Sequence, residues 1–342
     1  MKDRDRQRFG AEELAVVLSH YDIGVIESIT GFDRGSRRSP KVGIVAQRGK
    51  FLLKRRAPDR RSKRRLQLAH AVQLHLVQRG FPVAGLIRTK NGGATCTRLG
   101  EEIYELFEYA SGHNYSGTAE QTRDAGRTLA EFHQALGDFD VPADAPAGSY
   151  HDANHVRTAL NAIPSSISSH DSVTGQEAEL LGLIQRLFEE YDRAADAIND
   201  YDFASLPSGV VHGDWHPGNL LYKRDQVVAV IDYDSCRVSQ RIVDVANALL
   251  QFSLVSGGPP DQWPDHPDRQ RMSAFVEGYR RISNLSELER RCVGWLMIEA
   301  LIGETVFPIA RTGSFGHWTG FRFLRMVARK VCWLHQNLAE GI

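Results

Sequence analysis

Cysteine is scarce in this sequence. The four cysteines among its 342 residues, Cys96, Cys236, Cys292 and Cys332, lie far apart and form no CxxC pair. Such spacing indicates neither a zinc knuckle nor a disulfide framework. It favours a reducing, cytoplasmic environment.

Long apolar runs are also missing. No stretch approaches the roughly 18 consecutive apolar residues typical of a membrane helix. The first residues, Met1–Arg8, alternate Lys or Arg with Asp, and no apolar segment follows them. We therefore expect neither a membrane span nor a secretory leader.

The sequence carries no net charge, because 42 basic residues balance 42 acidic ones. Residues 1–100 hold 22 basic and 8 acidic side chains, a net of +14, so residues 101–342 carry −14. A zero total argues against a general nucleic-acid binder. The change of sign near residue 100, in a chain long enough for about two domains, predicts two lobes.

The order of elements predicts an α+β protein. A β-rich part to about residue 108 contains one main helix over residues 62–80, and a mostly helical part covers residues 109–342. A turn at Gln47–Gly49 joins two of the strands into a hairpin. Capping boxes start helices at Thr118 and at Thr174. The predicted strands of the first part are Gly24–Ile29, Val42–Ala46, Lys50–Arg55, Pro82–Ile87, Cys96–Leu99 and Ile103–Tyr109.

Residues 210–234 carry the most informative polar chemistry. A short apolar strand leads into a polar loop, and a hairpin pattern follows. A loop and a hairpin can bring Asp214, Asn219 and Asp232 together. Carboxylate and amide oxygens suit Mg²⁺, which keeps water and phosphate oxygens among its ligands. A further carboxylate beside such an ion can accept a proton from an attacking hydroxyl.

This stretch, with its HGDxHxxN motif over residues 212–219 and an Ile-Asp pair ending at Asp232, resembles a known family. It is similar to the core of the aminoglycoside phosphotransferase, choline kinase and homoserine kinase group, which are small-molecule kinases with a bilobal, protein-kinase-like fold. Three further segments fit the lysine strand, the hinge segment and the helix after the metal loop of that family: Phe51–Lys54, Tyr104–Tyr109 and Asp244–Ala246.

The resemblance implies a role for each matched residue. Asp214 would be the catalytic base that orients the acceptor, while Asn219 and Asp232 would hold Mg²⁺ on the phosphates of ATP. The backbone near Glu108 and Ala110 would bind adenine. In such a transfer, positioning and charge neutralisation supply most of the rate.

The phosphate side of the sequence departs from the family pattern. The resemblance places Lys54 on the α- and β-phosphates, where kinases usually pair the lysine with a Glu on the next helix. Residues 60–80 contain neither Glu nor Asp. Either Gln73, which shares a helical stripe with His70, orients Lys54, or a carboxylate elsewhere does so. The loop Gly31–Ser36 has glycines but no GxGxxG.

Two other functions stay open at this point. A pseudokinase would bind ATP without turnover, and the missing helix carboxylate motivates it. A metal-dependent hydrolase would use His212, Asp214 and His216, although we expect both histidines to brace the loop. Asp234 is either a second metal ligand or a loop cap, and we expect Asp244 to be a structural anchor.

Other charged and aromatic residues bear on the substrate. The basic run of residues 54–65 predicts a solvated face near the phosphates. Glu299 and Glu304 are either partners of a cationic substrate or helix-surface charges. The −14 segment favours an amine-bearing small molecule, with aminoglycoside, choline and homoserine acceptors all open. The C-terminal aromatics predict core packing, with an ammonium cage as the alternative: Trp295, Phe307, Phe315, Trp318 and Phe321.

Overall fold

The structure of the protein is a computed structural model that describes residues 8–32, 39–56, 62–170 and 175–338. Its helices are α1 (Ala11–Leu18), α2 (Ser62–Gln78), α3 (Ala119–Ala135), α4 (Asn154–His170), α5 (Glu177–Asn199), α6 (Arg241–Ser253), α7 (Arg269–Arg280), α8 (Glu287–Thr312) and α9 (Gly320–Leu338). Its strands are β1 (Ile26–Phe32), β2 (Lys41–Ala46), β3 (Gly49–Arg56), β4 (Thr97–Leu99), β5 (Glu102–Glu108), β6 (Ser208–Val211), β7 (Leu220–Lys223), β8 (Gln226–Val230), β9 (Arg237–Gln240), β10 (Ser314–Phe315) and β11 (Trp318–Thr319).

Packing divides the described chain into two compact units. The first comprises the described parts of Met1–Asn114, Asp138–Ala145 and Leu220–Ser235, and the second comprises the remainder. Each unit therefore combines separate stretches of the chain. The division into residues 1–108 and 109–342 stays a prediction about functional lobes.

The first unit is built on a five-stranded antiparallel sheet in the order β1-β2-β3-β5-β4. The turn Gln47–Arg48 closes the predicted β2–β3 hairpin, with Ala46 opposite Gly49. β2 alternates half-buried and buried side chains, as a strand with one face on a core should. The core between this sheet and α1 contains Val17, Leu18, Tyr21, Ile23, Val42, Ile44, Ala46, Phe51, Leu53, Tyr104 and Leu106.

The second unit is mostly helical, and glycines allow α3 and α7 to pack closely together. A Cβ on Gly278 of α7 would lie 1.8 Å from the carbonyl oxygen of Arg123 of α3. A Cβ on Gly126 of α3 would lie 2.1 Å from the carbonyl oxygen of Phe275. Only glycine lets the two backbones approach this closely. The short antiparallel pair of β6 and β9 leads into the polar loop of residues 212–219.

Helix α8 is long and apolar enough to cross a membrane by length and composition. However, 83% of its apolar 18-residue window is buried inside the structure. A helix in the core of a protein can be equally long and apolar, and the burial of α8 is typical of such a core helix.

Several predicted boundaries change. β1 begins at Ile26 rather than at Gly24, because Gly24 has a φ of 75°, which an extended strand residue does not adopt. The prediction of a strand at Pro82–Ile87 is wrong. Val83 and Leu86 form only isolated bridges, and the proline has no N–H to donate to a ladder of hydrogen bonds. Thr118 accepts a hydrogen bond from the Gln121 N–H at 3.3 Å and caps α3, but the predicted capping box is incomplete because the Gln121 side chain accepts from the Ser116 N–H instead. Thr174, the second predicted cap, lies outside the described residues.

Candidate active site

The loop after β6 is held by Asp244 in the first turn of α6. The backbone N–H groups of His212 and Gly213 donate to its two carboxylate oxygens over 2.6 and 2.8 Å. Asp244 is 1% exposed, and His133 Nε2 lies 3.3 Å from Oδ2. Burial raises the pKa of Asp244, but the two histidines and the Gly213 N–H outweigh burial and hold the pKa below its usual value. This geometry agrees with the predicted anchoring role.

Asp214 follows on this anchored loop, with its side chain 42% exposed. Its carboxylate accepts a hydrogen bond from Asn219 Nδ2 at 3.0 Å, and His216 Nε2 lies 3.6 Å away. Burial raises the pKa of Asp214, but His216, His212 and Asn219 lower it more, so the carboxyl is ionised at neutral pH. Asp214 is therefore a fixed, charged and accessible acceptor.

Both histidines of the motif brace the loop, as predicted. The His212 ring is fully buried and lies edge-on to Phe132 and Trp215. The Gly218 N–H donates to His216 Nδ1 at 3.0 Å, which leaves the proton on Nε2, toward Asp214. Among the described residues, no group of three His, Cys, Asp or Glu side chains is arranged to hold a metal ion. The burial of His212 explains this for the triad of the hydrolase hypothesis.

Asn219 and Asp232 both present oxygen donors. Asn219 Nδ2 donates to the carbonyl oxygen of Asp214 at 2.9 Å as well as to its carboxylate, so the Asn219 amide oxygen is the atom left for a ligand. Asp232 has a φ of 65°, an uncommon value for a residue with a Cβ, and its side chain is 39% exposed. Amide and carboxylate oxygens of this kind fit Mg²⁺.

Lys54 of β3 is paired with carboxylates of the first unit. It is 7% exposed, and its Nζ lies 2.8 Å from Asp234 Oδ2 and 3.6 Å from Asp232 Oδ1. Burial raises the pKa of Asp234, but Lys54 and Arg56 together hold the pKa far below its usual range. A carboxylate outside the helix therefore pairs with Lys54, and its role in orienting the lysine stays a prediction. The Gln73 hypothesis is wrong, since its amide donates to the Ala69 carbonyl of its own helix at 3.1 Å.

Arg56 and Glu105 extend this ion-pair group, and sequence reasoning missed both. The Arg56 guanidinium pairs with Asp234 and with Glu105, which is fully buried on β5. His70 Nε2 of α2 lies 2.6 Å from Glu105 Oε1. The available signal was an acidic residue inside an apolar strand, together with a second basic residue on the face of β3 that carries Lys54.

The basic run is not a solvated face at its start. The side chains of Lys54, Arg55 and Arg56 are 9, 12 and 15% exposed, and each pairs with an acid. Their strand β3 lies inside the sheet, so its long side chains find carboxylates of neighbouring elements. The side chains at 63–65 on α2 are exposed as predicted, and residues 57–61 lie outside the described part of the chain.

The segment expected to bind adenine follows β5. The Glu108 N–H donates to the Gly85 carbonyl at 2.8 Å, and the Tyr109 N–H donates to the Lys50 carbonyl at 2.9 Å. The chain leaves the sheet after these two bonds, so Ala110 lies beyond the last ladder pair. A backbone segment at the end of a rigid strand is suited to hold a flat heterocycle by its edge.

The two glutamates of α8 have different environments. Glu299 is fully buried, with its Oε2 3.1 Å from His151 Nδ1, so both predicted roles are wrong for it. The Glu304 carboxyl is half-buried and accepts hydrogen bonds from Gln251 and Asn247. Burial and the negative charge of Asp214 raise the pKa of Glu304 to about 7.

The C-terminal aromatics mostly pack on other side chains, as predicted. Trp295 and Phe321 are buried. Phe315 stacks on Phe323 with ring centroids 4.0 Å apart, and Phe307 stacks on Tyr150 at 6.2 Å.

A five-stranded antiparallel sheet with a buried lysine, and a helical unit with an anchored HGDxHxxN loop, define a kinase-like phosphotransferase. Residues 29–287 match the phosphotransferase enzyme family (APH), so this chain belongs to that family. It is an enzyme that transfers phosphate to small molecules, and the described residues of its site show nothing that favours a pseudokinase.

The chain is also similar in sequence to known proteins and in fold to solved structures. The homoserine kinase of Hyphomonas neptunium is 25% identical over 288 residues, covering 82% of this chain and 81% of that protein. An aminoglycoside phosphotransferase from Alicyclobacillus acidocaldarius has a TM-score of 0.69 at 17% identity, covering 98% of each chain. The amicoumacin kinase hAmiN, solved with AMP-PNP and Ca²⁺, has a TM-score of 0.66 at 13% identity, covering 96% of this chain and 94% of that one. The predicted kinase-like α+β fold is thereby confirmed.

Proposed function

We propose that this enzyme transfers the γ-phosphoryl group of ATP to a hydroxyl of a small, amine-bearing metabolite. The observation that carries the proposal is Asp214, an ionised and accessible carboxylate on a loop anchored by Asp244. The homoserine kinases among its relatives and the AMP-PNP bound to hAmiN support the acceptor and the donor. The acidic second part of the sequence and the scarcity of cysteine support a cationic acceptor and a cytoplasmic location.

Asp214 acts on the acceptor in this proposal. Its carboxylate accepts a hydrogen bond from the acceptor hydroxyl and aims the oxygen at the γ-phosphorus. As the new P–O bond forms, the bond from that phosphorus to the oxygen bridging the β-phosphate breaks, ADP leaves, and the hydroxyl proton passes to Asp214. The hydrogen bond from Asn219 fixes the carboxylate, so little reorganisation is needed at the moment of transfer. A lowered pKa makes Asp214 a weak base, so its main contribution is orientation.

The remaining matched residues hold the nucleotide. Lys54 binds the α- and β-phosphates, and the backbone of Glu108 and Ala110 binds the adenine edge. Asn219 and Asp232 hold Mg²⁺, which neutralises phosphate charge when bound. In this scheme residues 1–108 form the nucleotide lobe and residues 109–342 the catalytic and substrate lobe.

A thermal-shift titration with ATP and Mg²⁺ tests the nucleotide part of the proposal. We expect ATP with Mg²⁺ to raise the melting temperature of the wild type more than ATP alone. Asp232→Asn should lose the Mg²⁺-dependent increase. Asp225→Asn, a matched change at an exposed turn of the same β7–β8 hairpin, should keep it. A wild type that ATP and Mg²⁺ do not stabilise would contradict the proposal.

A coupled ADP assay tests the acceptor. L-homoserine, choline, ethanolamine, 1-amino-2-propanol and an aminoglycoside should be compared with hydroxyl compounds of similar size that lack the amine. We expect ADP release to depend on the acceptor and to favour the amines. ATP binding without acceptor-dependent ADP release would instead support a silent scaffold.

A further inference from the structure

The ion pairs around Lys54 replace a contact that this chain lacks. We propose that Glu105 is a positioning residue that sets the orientation of Lys54 through Arg56 and Asp234, in place of a carboxylate on α2. This inference rests on the proposed function of Lys54. It differs from that proposal in assigning the task to a buried strand residue that touches neither nucleotide nor acceptor.

Sheet register brings Glu105 beside the lysine. β3 and β5 are antiparallel, and Lys54 is directly opposite Glu105. Side chains of directly opposed residues lie on the same face of a sheet, and so do residues two apart along one strand. Lys54, Arg56 and Glu105 therefore lie on one face of the sheet. Because Glu105 is about 50 residues from the other two along the chain, the sequence alone does not indicate this proximity.

Arg56 connects the two carboxylates of this face. Its guanidinium pairs with Glu105 and with Asp234, and Asp234 in turn accepts from Lys54 Nζ at 2.8 Å. A planar guanidinium has donors in fixed directions, so it can fix two acceptors at once. With Glu105 holding one edge of Arg56, the other edge holds Asp234 at a defined position for Lys54.

Charge balance explains the need for Glu105 beside the carboxylates of Asp232 and Asp234. Lys41 lies opposite Lys54 on β2, and burial followed by the charge of Lys54 lowers the pKa of Lys41. Lys54, Arg56 and Lys41 therefore place three cationic groups near Asp234. Without Glu105, Asp232 and Asp234 would have to neutralise all three, and Lys54 and Arg56 would compete for Asp234.

Helix α2 takes part through a histidine. His70 Nε2 lies 2.6 Å from Glu105 Oε1, and His70 Nδ1 lies 2.7 Å from Thr95 Oγ1. The imidazole holds the Glu105 oxygen that Arg56 does not use. In this chain the acid is on the strand and its basic partner is on the helix, the reverse of a helix carboxylate that pairs with a strand lysine.

A double-mutant cycle on Lys54 and Glu105 tests the inference, with the dissociation constant of AMP-PNP and Mg²⁺ and the ADP-forming rate as readouts. We expect Glu105→Gln to weaken nucleotide binding and slow turnover by about tenfold or more, as removal of a residue that orients a ligand group does. Lys54→Ala should also weaken binding. The double variant should bind like Lys54→Ala alone, because Glu105 acts through that lysine. Glu102→Gln, on the opposite face of the same strand, should match the wild type.

The outcomes separate the two proposals. Two results would overturn the proposed function and this inference together. One is a wild type that does not bind nucleotide, and the other is a Lys54→Ala variant that binds nucleotide as tightly as the wild type. Additive losses in the double variant, or an unaffected Glu105→Gln, overturn the inference alone, because a purely structural role gives additive losses. If Glu105→Gln does not fold, Glu105→Asp keeps the charge but shortens the reach to Arg56. Glu105→Asp should then weaken nucleotide binding and slow turnover as expected for Glu105→Gln. It should cause no further loss when Lys54 is already alanine. Any other result overturns the inference.

Discussion

Asp244 accepts a hydrogen bond from the backbone N–H of His212 at 2.6 Å. A side chain in the first turn of α6 thus fixes the point at which the chain leaves β6 and enters the loop of Asp214. Asp244 is almost wholly buried, with the His133 ring beside it, so the loop is tied to the core of its unit. The placement of Asp214 therefore depends on a residue that is itself almost wholly buried.

We expect Asp244→Asn to lower both stability and turnover. The amide keeps the shape, but it loses the charge and offers only one acceptor to two N–H groups. The free energy of unfolding should fall by about 2–4 kcal/mol, because a buried, hydrogen-bonded charge is removed. Urea denaturation measures the loss, and Asp196→Asn, at an exposed position on α5, is the control. Unchanged stability would show that the anchor is dispensable.

Asp214→Asn should separate turnover from binding. The amide cannot take a proton and aims the acceptor poorly, so we expect the turnover number to fall by roughly 10²–10⁴-fold. The dissociation constant of AMP-PNP should stay within about threefold of the wild type, because in the proposal Asp214 acts on the acceptor and other residues hold the nucleotide. Isothermal titration and the ADP assay give the two numbers. A comparable loss in both would argue against the assigned role.

Glu304 should make stability depend on pH. Its pKa is about 7 in the folded protein, against 4.5 for the unfolded chain, so the folded state holds a proton that the unfolded state has released between these values. Stability from this group therefore falls as the pH rises from 4.5 to 7. Glu304→Gln removes the titration, and its stability relative to wild type should increase by about 2–3 kcal/mol between pH 5 and pH 8.

Urea denaturation of both proteins at the two pH values provides the measurement. Glu287→Gln, at an exposed site on the same helix, should show no such pH dependence relative to wild type. If the Glu304→Gln and wild-type curves run parallel with pH, the raised pKa is wrong.

Gly278→Ala should disrupt the contact of α7 with α3. The added methyl would meet the Arg123 carbonyl oxygen at 1.8 Å, so the helices must separate, at a cost of about 3 kcal/mol or more. Gly182→Ala is the matched control, because its methyl would come no closer than 3.8 Å to a flexible arginine. This control should be neutral or more stable by up to about 1 kcal/mol, since alanine favours a helix. Equal effects in thermal melts would refute the packing argument.

The sequence by itself determined the class of the protein and much of its fold. Strand alternation and the Gln47–Arg48 turn predicted the hairpin that carries Lys54, and the Thr118 cap predicted the start of α3. The HGDxHxxN motif carries the resemblance that implied a kinase, and it can be recognised because its residues lie close together along the chain. Such local patterns are readable because turn and cap geometry depend on a few neighbouring residues.

Only the tertiary structure decided what surrounds these residues. Glu105 is 51 positions from Lys54 along the chain and lies beside it through strand register, and Asp234 reaches the same lysine from 180 positions away. Glu299 and Glu304 look alike on one helix, yet Glu299 is fully buried beside His151 and Glu304 keeps a half-buried carboxyl. Burial and charge partners come from segments distant in sequence, and they set the orientation of Lys54 and the pKa of each acid.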